Sequence, residues 1–508
     1  MEKIKVLALM DSPTVSTGFA QVSKNVLRKL YDTGKYDITV VGINYHGTLT
    51  KEQMEKHPYT FIPAMPAGYQ DPYGRGKVVQ ILTGNDREIR PPFDILFTIQ
   101  DHFILSGADA IADGFNFSKR IKELQAEILS NPQYDMKFLF SWIGYYPVDG
   151  NLQEKWVKQG IGYCDYPVAY TQFGKSKILE HDEPVLKLKE RLEVIYHGVN
   201  LKDFYPLSEN EIKEFRKSYF PKEMPEDAFL IVNISRNQIR KDIASTIKAF
   251  AEYKKINPKA YLYLHMKQTD QGGDLWEIAK QFGLEVGKDM MLPSNFNEMF
   301  GFPAEFMNKI YNSADVLITT TLGEGWGFIN TEAMAVKKPI ITPMNTAMPE
   351  IIGIEEPFIR EPMISYIEDN IHTLRGIPVK SGYGPNDWVC MGAIDNGVVR
   401  PKVDIDDIVQ KLDWAYKNKQ KIQQIANNGY EWVQELKWDN IVKQWENLFD
   451  KAYAELEKER KAGHVTDKPF AKVDNKFIDG NGKKIKVKPN DKCLCGSGKK
   501  YKVCCGKA

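Results

Sequence analysis

The sequence lacks any long apolar run. No stretch approaches the roughly 18 consecutive apolar residues that a membrane-spanning helix needs. The short apolar run near the start, KIKVLALM, lies between Glu2 and Asp11, and no small-residue cleavage site follows it. The start of the chain therefore predicts a first β-strand and not a signal peptide, and we expect a cytoplasmic protein with no transmembrane segment.

The chain also has almost no net charge, because its formal charge over 508 residues is +1. The balance is nevertheless uneven. Residues 468–508 contain twelve Lys, no Arg and three Asp, which gives this tail about +9 and leaves about −8 for the first 467 residues. A basic tail on an acidic body predicts a separate module with its own partner.

Cysteine is scarce, with six residues in all. Cys164 and Cys390 are isolated, and the other four fall within the last sixteen positions. This pattern favours a metal site in a reducing compartment over a disulfide framework.

What the sequence does contain is a repeated alternation of apolar and amphipathic segments. IKVLALM, YDITVVGI and FDILFTI predict strands in the first part, and FLIVNIS, AYLYLHM and ADVLITT predict strands after a charged connector near Asp203. The chain is too long for one hydrophobic core. Strands that are apolar throughout and alternate with helices predict two α/β domains, each with a parallel sheet covered on both faces.

The segment GEGWGFINTEAMA (323–335) follows the predicted strand ADVLITT. It therefore lies at the carboxyl edge of the second sheet, where such sheets bind ligands. Its glycines allow close approach of a ligand to the backbone, and amides at a helix start suit phosphate oxygens. Glu332 is placed to accept hydrogen bonds from a ribose, with Glu324 beside a hydroxylated group at the other end of the ligand. Alternatively, Glu332 is an ordinary acid in a first helical turn and Glu324 an ordinary loop acid.

The loop NISRNQIRKD follows the first strand of the second domain. Arg236 and Lys241, five positions apart, predict a pair of cations that neutralises a diphosphate. The alternative is a solvated basic loop, and Arg240 beside them shows that charge is common there.

Together with VIYHGVNLKDFYPL, these two motifs resemble the retaining glycosyltransferases of the GT-B fold, family 4-like, over roughly residues 3–450. The resemblance implies an α/β architecture of two Rossmann-like domains that face a cleft. It also implies a hexosyl- or pentosyltransferase that moves a sugar from a nucleotide-diphosphate sugar with retention and without an active-site metal. The implied parts are an N-terminal domain (1–205), a donor domain (206–435), a helix that crosses back (436–462), a linker (463–489) and a tail motif (490–508).

The resemblance also implies roles for particular residues. Glu324 is expected at the donor sugar and Glu332 at the ribose, with Arg236 and Lys241 on the pyrophosphate. The remaining donor-binding candidates are Gly18, Gly325, Trp326, Gly327 and Phe328.

One family feature is missing from the first domain. The segment MKFLFSWIGYYPVDG lacks the histidine that many members have at that strand end. Asp149 within it, and Asp101 and His102 at another strand end, are the candidates for positioning the donor sugar or the acceptor. The aromatic side chains in the segment, Trp142, Tyr145 and Tyr146, either stack on a ligand or belong to the core.

The tail sequence CLCGSGKKYKVCC resembles the SEC-C zinc motif. Four thiolates in thirteen residues predict one structural Zn²⁺ without an open coordination position. The expected ligands are Cys493, Cys495, Cys504 and Cys505. The resemblance implies a docking module, whose basic face suits an acidic protein, the ribosome or nucleic acid.

Four functions stay open from the sequence. The first is a glycosyltransferase acting on a carbohydrate, lipid or small molecule. The second is a glycosyltransferase acting on a hydroxylated base of DNA, which the basic tail and aromatic loop motivate. The third is a catalytically inactive GT-B scaffold with a zinc docking tail, against which the intact acids and cations argue. The fourth and weakest is a nucleotide-sugar epimerase on the same fold, which would need no acceptor.

Overall fold

The structure is a computed structural model of the full chain. It describes residues 2–45, 47–65, 71–107, 114–296, 301–355 and 363–465, together with three short tail strands and residues 488, 490 and 500. Within these ranges, no helix is both long enough and apolar enough to span a bilayer.

The first domain is built on one seven-stranded sheet in which every pairing is parallel. Its strands are β1 (Ile4–Asp11), β2 (Tyr36–Ile43), β3 (Thr60–Pro63), β4 (Ile95–Ile99), β5 (Ser141–Tyr146), β6 (Tyr166–Ala169) and β7 (Glu193–Val194). Its helices are α1 (Gly18–Asp32), α2 (Lys51–Lys56), α3 (Arg75–Leu82), α4 (His102–Ser106), α5 (Phe117–Ser130), α6 (Glu154–Lys158), α7 (Gln172–Leu179) and α8 (Leu188–Arg191). The spatial order is β3-β2-β1-β4-β5-β6-β7.

The second domain contains a six-stranded parallel sheet of spatial order β12-β9-β8-β13-β14-β15 and two small hairpins, β10–β11 and β16–β17. The strands are β8 (Phe229–Ile234), β9 (Ala260–His265), β10 (Thr269–Asp270), β11 (Gly273–Asp274), β12 (Met290–Met291), β13 (Val316–Ile318), β14 (Ile340–Pro343), β15 (Ile377–Val379), β16 (Trp388–Cys390) and β17 (Val399–Pro401). The helices are α9 (Glu209–Tyr219), α10 (Ile243–Ile256), α11 (Leu275–Gln281), α12 (Ala304–Ser313), α13 (Phe328–Ala335), α14 (Met348–Ile351), α15 (Ile364–Asp369), α16 (Ile405–Lys417) and α17 (Lys419–Val433).

The central strands are buried on both faces. Every residue of β4 and β13 is buried, as expected for parallel strands that helices cover on two sides. This is why the sequence shows unbroken apolar runs at these strands, and it confirms the predicted α/β class.

A 25-residue helix, α18 (Trp438–Ala462), returns from the second domain to the first. Its Trp445 ring lies 5.2 Å from Phe97 and 4.7 Å from Tyr145, both in the first sheet. Near its end, Arg460 pairs with Asp94 at 2.7 Å. The segment predicted to cross back therefore packs on the first sheet and ties the two domains together.

The stretch predicted as a linker carries three short antiparallel strands, β18 (Lys472–Val473), β19 (Lys476–Ile478) and β20 (Lys484–Ile485). The predicted zinc ligands Cys493, Cys495, Cys504 and Cys505 lie outside the described residues.

Candidate active site

The loops that follow β8 and β13 meet because these two strands are neighbours in the second sheet. A short 3-10 turn, Ile239–Lys241, ends the first loop. The Leu322 amide donates to the Arg240 carbonyl at 2.8 Å, which joins the first loop to the second. The side chains of both loops therefore gather at one edge of the sheet, as the sequence predicts.

Glu324 lies at the centre of this group. The Lys241 ammonium forms an ion pair with one of its carboxylate oxygens, and Arg240 Nη1 lies 3.4 Å from the other. Burial by itself raises the pKa of Glu324, but the two cations outweigh it and hold that pKa below its usual range. Burial lowers the pKa of Lys241, and the Glu324 carboxylate opposes that shift. In this buried group, each side chain is stabilised in its charged form by its oppositely charged neighbours.

The first domain adds Asp149 to the same group. Asp149 follows β5, and its Oδ2 lies 3.2 Å from Arg240 Nε. Burial acts to raise the pKa of Asp149, but Arg400 and Arg240 lower it to about 2. Its backbone carbonyl lies so close to Gly323 that a Cβ there would be 2.1 Å from the oxygen. Glycine is therefore required at 323 for the two domains to meet here.

Glu332 lies on α13, just beyond this group. The helix begins after Gly327, whose φ of 81° favours glycine. The Tyr311 hydroxyl donates to the Glu332 carboxylate. Burial raises the pKa of Glu332 to about 7, against the opposing effects of Tyr311 and of Lys24 on α1. Glu332 thus has a pKa near neutral pH and interacts electrostatically with Lys24 of the other domain.

Arg236 is placed differently from Lys241. Its Nε donates to Asp270 of the β10–β11 hairpin at 2.8 Å, and its side chain is 56% exposed, against 18% for Lys241. The cation beside Lys241 in the buried group is Arg240, for which the sequence indicated only an ordinary loop charge. The only sequence signal for Arg240 was its position next to Lys241.

The aromatic members of the motif pack at the junction of the domains. The Phe328 ring stacks on His197 with centroids 5.1 Å apart, and the Trp326 ring lies 5.3 Å from the same histidine. A Cβ on Gly18 would lie 3.9 Å from the Phe328 ring, so the α1 start faces this loop. Gly325 also adjoins the first domain, since its Cβ would lie 3.3 Å from the Val148 amide.

Asp101 and His102 stand at the start of α4, near Asp149. Burial, helped by the negative charge of Asp149, raises the pKa of Asp101 to about 7. Burial lowers the pKa of His102 to about 4, so the ring is neutral, and its Nδ1 donates to the Pro147 carbonyl at 3.2 Å. A neutral histidine and a carboxyl group that ionises near neutrality therefore lie on the first-domain side.

The three aromatic residues with an open role, Trp142, Tyr145 and Tyr146, belong to the core, since all are fully buried. Trp142 Nε1 donates to Thr98 at 3.0 Å, and the Tyr145 hydroxyl donates to the Ile195 carbonyl at 2.6 Å. Their direction follows from the pleat of β5, which the sequence did not reveal.

Solved structures place this fold among the GT-B glycosyltransferases. The Anabaena protein HepE in complex with UDP and glucose has a TM-score of 0.57 at 15% identity, covering 88% of this chain and 100% of the other. Sucrose-phosphate synthase from Thermosynechococcus elongatus has a TM-score of 0.59 at 15% identity, and the match covers 89% of this chain and 100% of the other. A glycosyltransferase from Rickettsia africae has a TM-score of 0.58 at 17% identity, and the match covers 90% of this chain and 100% of the other. The chain has the GT-B fold, which confirms the architecture expected from the motifs.

Similarity in sequence is partial. An uncharacterised glycosyltransferase of Methanocaldococcus jannaschii is 25% identical over 266 residues, which is 51% of this chain and 54% of that protein. The chain thus spans about half the length of the curated relative it matches. Two family models match parts of the chain: glycosyl transferase family 90 over residues 398–495 and the SEC-C motif over 490–507. The second match confirms the tail motif. The family 90 match covers residues 398–495 and so includes neither Glu324 nor Lys241. The family 4-like assignment and the retaining mechanism therefore stay predictions.

Proposed function

We propose that this protein is a glycosyltransferase that moves a sugar from a nucleotide-diphosphate sugar to an acceptor hydroxyl. The observation that carries the proposal is the buried group at the domain junction, where Lys241 and Arg240 contact Glu324 and Asp149. Both cations are largely buried and pair with carboxylates, and Arg240 also donates to the Gly323 carbonyl. An incoming diphosphate can replace the carboxylates at the two cations. The UDP complexes of HepE, which has the same fold, support a nucleotide-sugar donor.

The proposed chemistry uses these charges at the leaving group. As the bond between the anomeric carbon and the phosphate oxygen breaks, the nucleoside diphosphate takes the electron pair and gains negative charge. Lys241 and Arg240, already oriented and shielded from water, stabilise that charge. Because two protein cations supply this stabilisation, we propose that no divalent metal is needed in the active site.

Retention is part of the proposal and rests on the motif resemblance. The acceptor hydroxyl attacks the same face that the leaving group departs from, and its proton passes to the departing phosphate oxygen. No protein nucleophile is assigned. When the diphosphate engages Lys241, the Glu324 carboxylate becomes available to accept hydrogen bonds from hydroxyls of the donor sugar.

The remaining assignments combine the motif resemblance with the positions of the residues in the two domains. Glu332, on the helix after the glycine-rich loop, binds the ribose of the donor. Asp101, His102 and Asp149 approach from the first domain, so we propose that they position the donor sugar and the acceptor. Arg236 has an outer role, since it pairs with Asp270 at the edge of the group.

A thermal-shift screen of nucleotide sugars tests the donor site. A true donor at ten times its Kd adds about 1.4 kcal/mol to the free energy of unfolding through mass action, and so raises the unfolding midpoint by a measurable amount. The matching free sugar without nucleotide is the control and is expected to give no shift. If no nucleotide sugar or nucleoside diphosphate raises the midpoint, the donor assignment is wrong.

Hydrolysis of the stabilising donor then separates an enzyme from a scaffold. Slow release of free sugar without acceptor, abolished by Glu324→Gln, supports the transferase. Binding without any release in the presence of candidate acceptors supports the inactive scaffold.

The tail gives an independent prediction. One zinc ion per chain is expected by elemental analysis of the purified protein, and Cys493→Ser is expected to lower that ratio severalfold because a four-thiolate site loses a ligand. Donor binding in the screen is expected to be unchanged in this variant. A ratio of one that persists in Cys493→Ser would contradict the assigned ligand set.

A further inference from the structure

The β16–β17 hairpin and its connecting turn, residues 388–401, form an arm of the second domain that reaches the first domain. Near its tip, Val398 is buried within the hydrophobic core of the first domain. Beside it, Gln153 Nε2 donates to the Asn396 carbonyl at 2.6 Å. The arm is therefore docked by both apolar and polar contacts.

Arg400 is the charged residue of this arm at the active site. Its side chain is 5% exposed. Nη1 donates to the backbone carbonyl of Asp149 at 2.6 Å, and Nη2 lies 3.2 Å from Asp149 Oδ1. Nη2 also donates to Asp395 Oδ1 at 2.9 Å. One guanidinium thus holds both the main chain and the side chain of Asp149.

The two carboxylate oxygens of Asp149 are shared between two arginines. Oδ1 faces Arg400, and Oδ2 faces Arg240 of the cation pair. Under the proposed function, an incoming diphosphate competes with the Asp149 carboxylate for Arg240. The Arg400 contact includes the Asp149 backbone carbonyl as well as Oδ1, so it does not depend on the carboxylate alone.

Three segments meet at this point. A Cβ on Gly323 would lie 2.1 Å from the Asp149 carbonyl oxygen and 2.9 Å from Arg400 Nη1. A cavity of about 20 Å³, room for about one water, lies beside the arm, and its lining includes His102, Trp156 and Arg400. The arm, the 147–150 loop and the glycine-rich loop are thus packed against one another.

We propose that Arg400 is a positioning residue, which holds the 147–150 loop of the first domain against the glycine-rich loop and so completes the active site when the arm docks. The inference rests on the proposed function. Arg400 acts through Asp149 and is not assigned a contact with the donor.

The geometry requires an arginine. A planar guanidinium reaches a carbonyl and two carboxylates at once, whereas a lysine ammonium donates from a single point. Arg400→Lys keeps the positive charge but loses the planar set of donors. The variant therefore tests whether the position of the loop, and not the charge alone, matters for activity. Arg460→Lys is the matched control, because Arg460 is 12% exposed and also joins an element that follows the second sheet to the first domain, away from the site.

The first measurement is steady-state hydrolysis of the donor found by thermal shift. Arg400→Lys is expected to lower kcat about tenfold while KM changes less than threefold. Arg460→Lys is expected to leave kcat within twofold of the parent. Equal kcat in Arg400→Lys and the parent overturns the proposal, as does a loss of kcat that the control shares.

The second measurement does not depend on activity. Hydrogen exchange of amides in 148–153 and 323–327 of the full chain is expected to speed up in Arg400→Lys and not in Arg460→Lys. Unchanged exchange overturns the positioning role even if the protein is an active transferase. Faster exchange in a protein that turns over no nucleotide sugar refutes the proposed function while the structural role of Arg400 stands.

Discussion

Lys241→Ala is expected to lower turnover of the nucleotide-sugar donor about 100- to 1,000-fold, the range for removing one preorganised group at a developing oxyanion. Affinity for the intact nucleotide-sugar donor is expected to fall by less than about tenfold. The reason for the difference is that the charge on the leaving diphosphate grows as the glycosidic bond breaks, so an ammonium beside it acts more strongly on the transition state than on the bound donor.

The experiment compares kcat from donor hydrolysis with the Kd of the intact nucleotide sugar from calorimetry, because the free nucleoside diphosphate already carries the full charge of the leaving group. Lys411→Ala is the matched control, because Lys411 is a fully buried lysine that also pairs with a carboxylate, Asp407, on α16. This control is expected to lose stability but to keep kcat per folded molecule. Parallel losses of kcat and affinity in Lys241→Ala would contradict a role at the leaving group.

The two arginines of the loop allow a sharper comparison. Arg240→Ala is expected to lower kcat more than Arg236→Ala, because Arg240 contacts Glu324 and Asp149 whereas Arg236 pairs with Asp270. The motif resemblance alone assigns the larger role to Arg236. A larger loss in Arg236→Ala would show that its side chain turns to the diphosphate when the donor binds.

Glu332→Ala is expected to weaken nucleotide binding by about 1–3 kcal/mol, since ribose hydroxyls lose their acceptor in a buried site. The measurement is the Kd of the nucleoside diphosphate, with the same nucleotide in its 2′-deoxy form as the control. For the 2′-deoxy nucleotide, the Kd values of the parent and of Glu332→Ala are expected to be nearly the same. Unchanged affinity in Glu332→Ala would refute the ribose assignment.

The same residue is expected to link stability to pH. The pKa of Glu332 is about 7 in the folded protein against an ordinary value of 4.5. As pH rises through this window, the unfolded chain loses its proton first, so the parent loses stability, by up to about 3 kcal/mol above pH 7. Glu332→Gln lacks this loss, so its stability relative to the parent is expected to rise between pH 5 and pH 8.

Unfolding midpoints of parent and Glu332→Gln at the two pH values test this. Glu305→Gln is a suitable control, since Glu305 is an exposed helix acid whose pKa is lowered by its contact with Lys309. A difference between Glu332→Gln and parent that is the same at pH 5 and pH 8 would contradict a raised pKa. If Glu332→Gln is more stable than the parent but binds the nucleotide more weakly, Glu332 contributes to binding at a cost in stability.

Much of the fold could be predicted from the sequence because it depends on local patterns. Unbroken apolar runs identified β1, β4, β8 and β13, and helical periodicity identified α18. The placement of Lys241 and Glu324 at one edge also followed, since residues after neighbouring parallel strands share an edge of the sheet. The three short tail strands have only two or three residues each, so the sequence predicted no more than one small hairpin in the linker, with its turn at Asp479–Gly482.

The sequence by itself determined the two α/β domains, the glycine-rich loop, the acids on either side of it and the cysteine-rich tail. Only the tertiary structure decided which cation joins Lys241, because the direction of an arginine in a loop depends on contacts beyond that loop. It alone brought Arg400 to Asp149, 251 positions away, and raised the pKa of Glu332. Such contacts and their electrostatics depend on how the two domains pack against each other. No local sequence pattern indicates which residues, far apart in the chain, come together there.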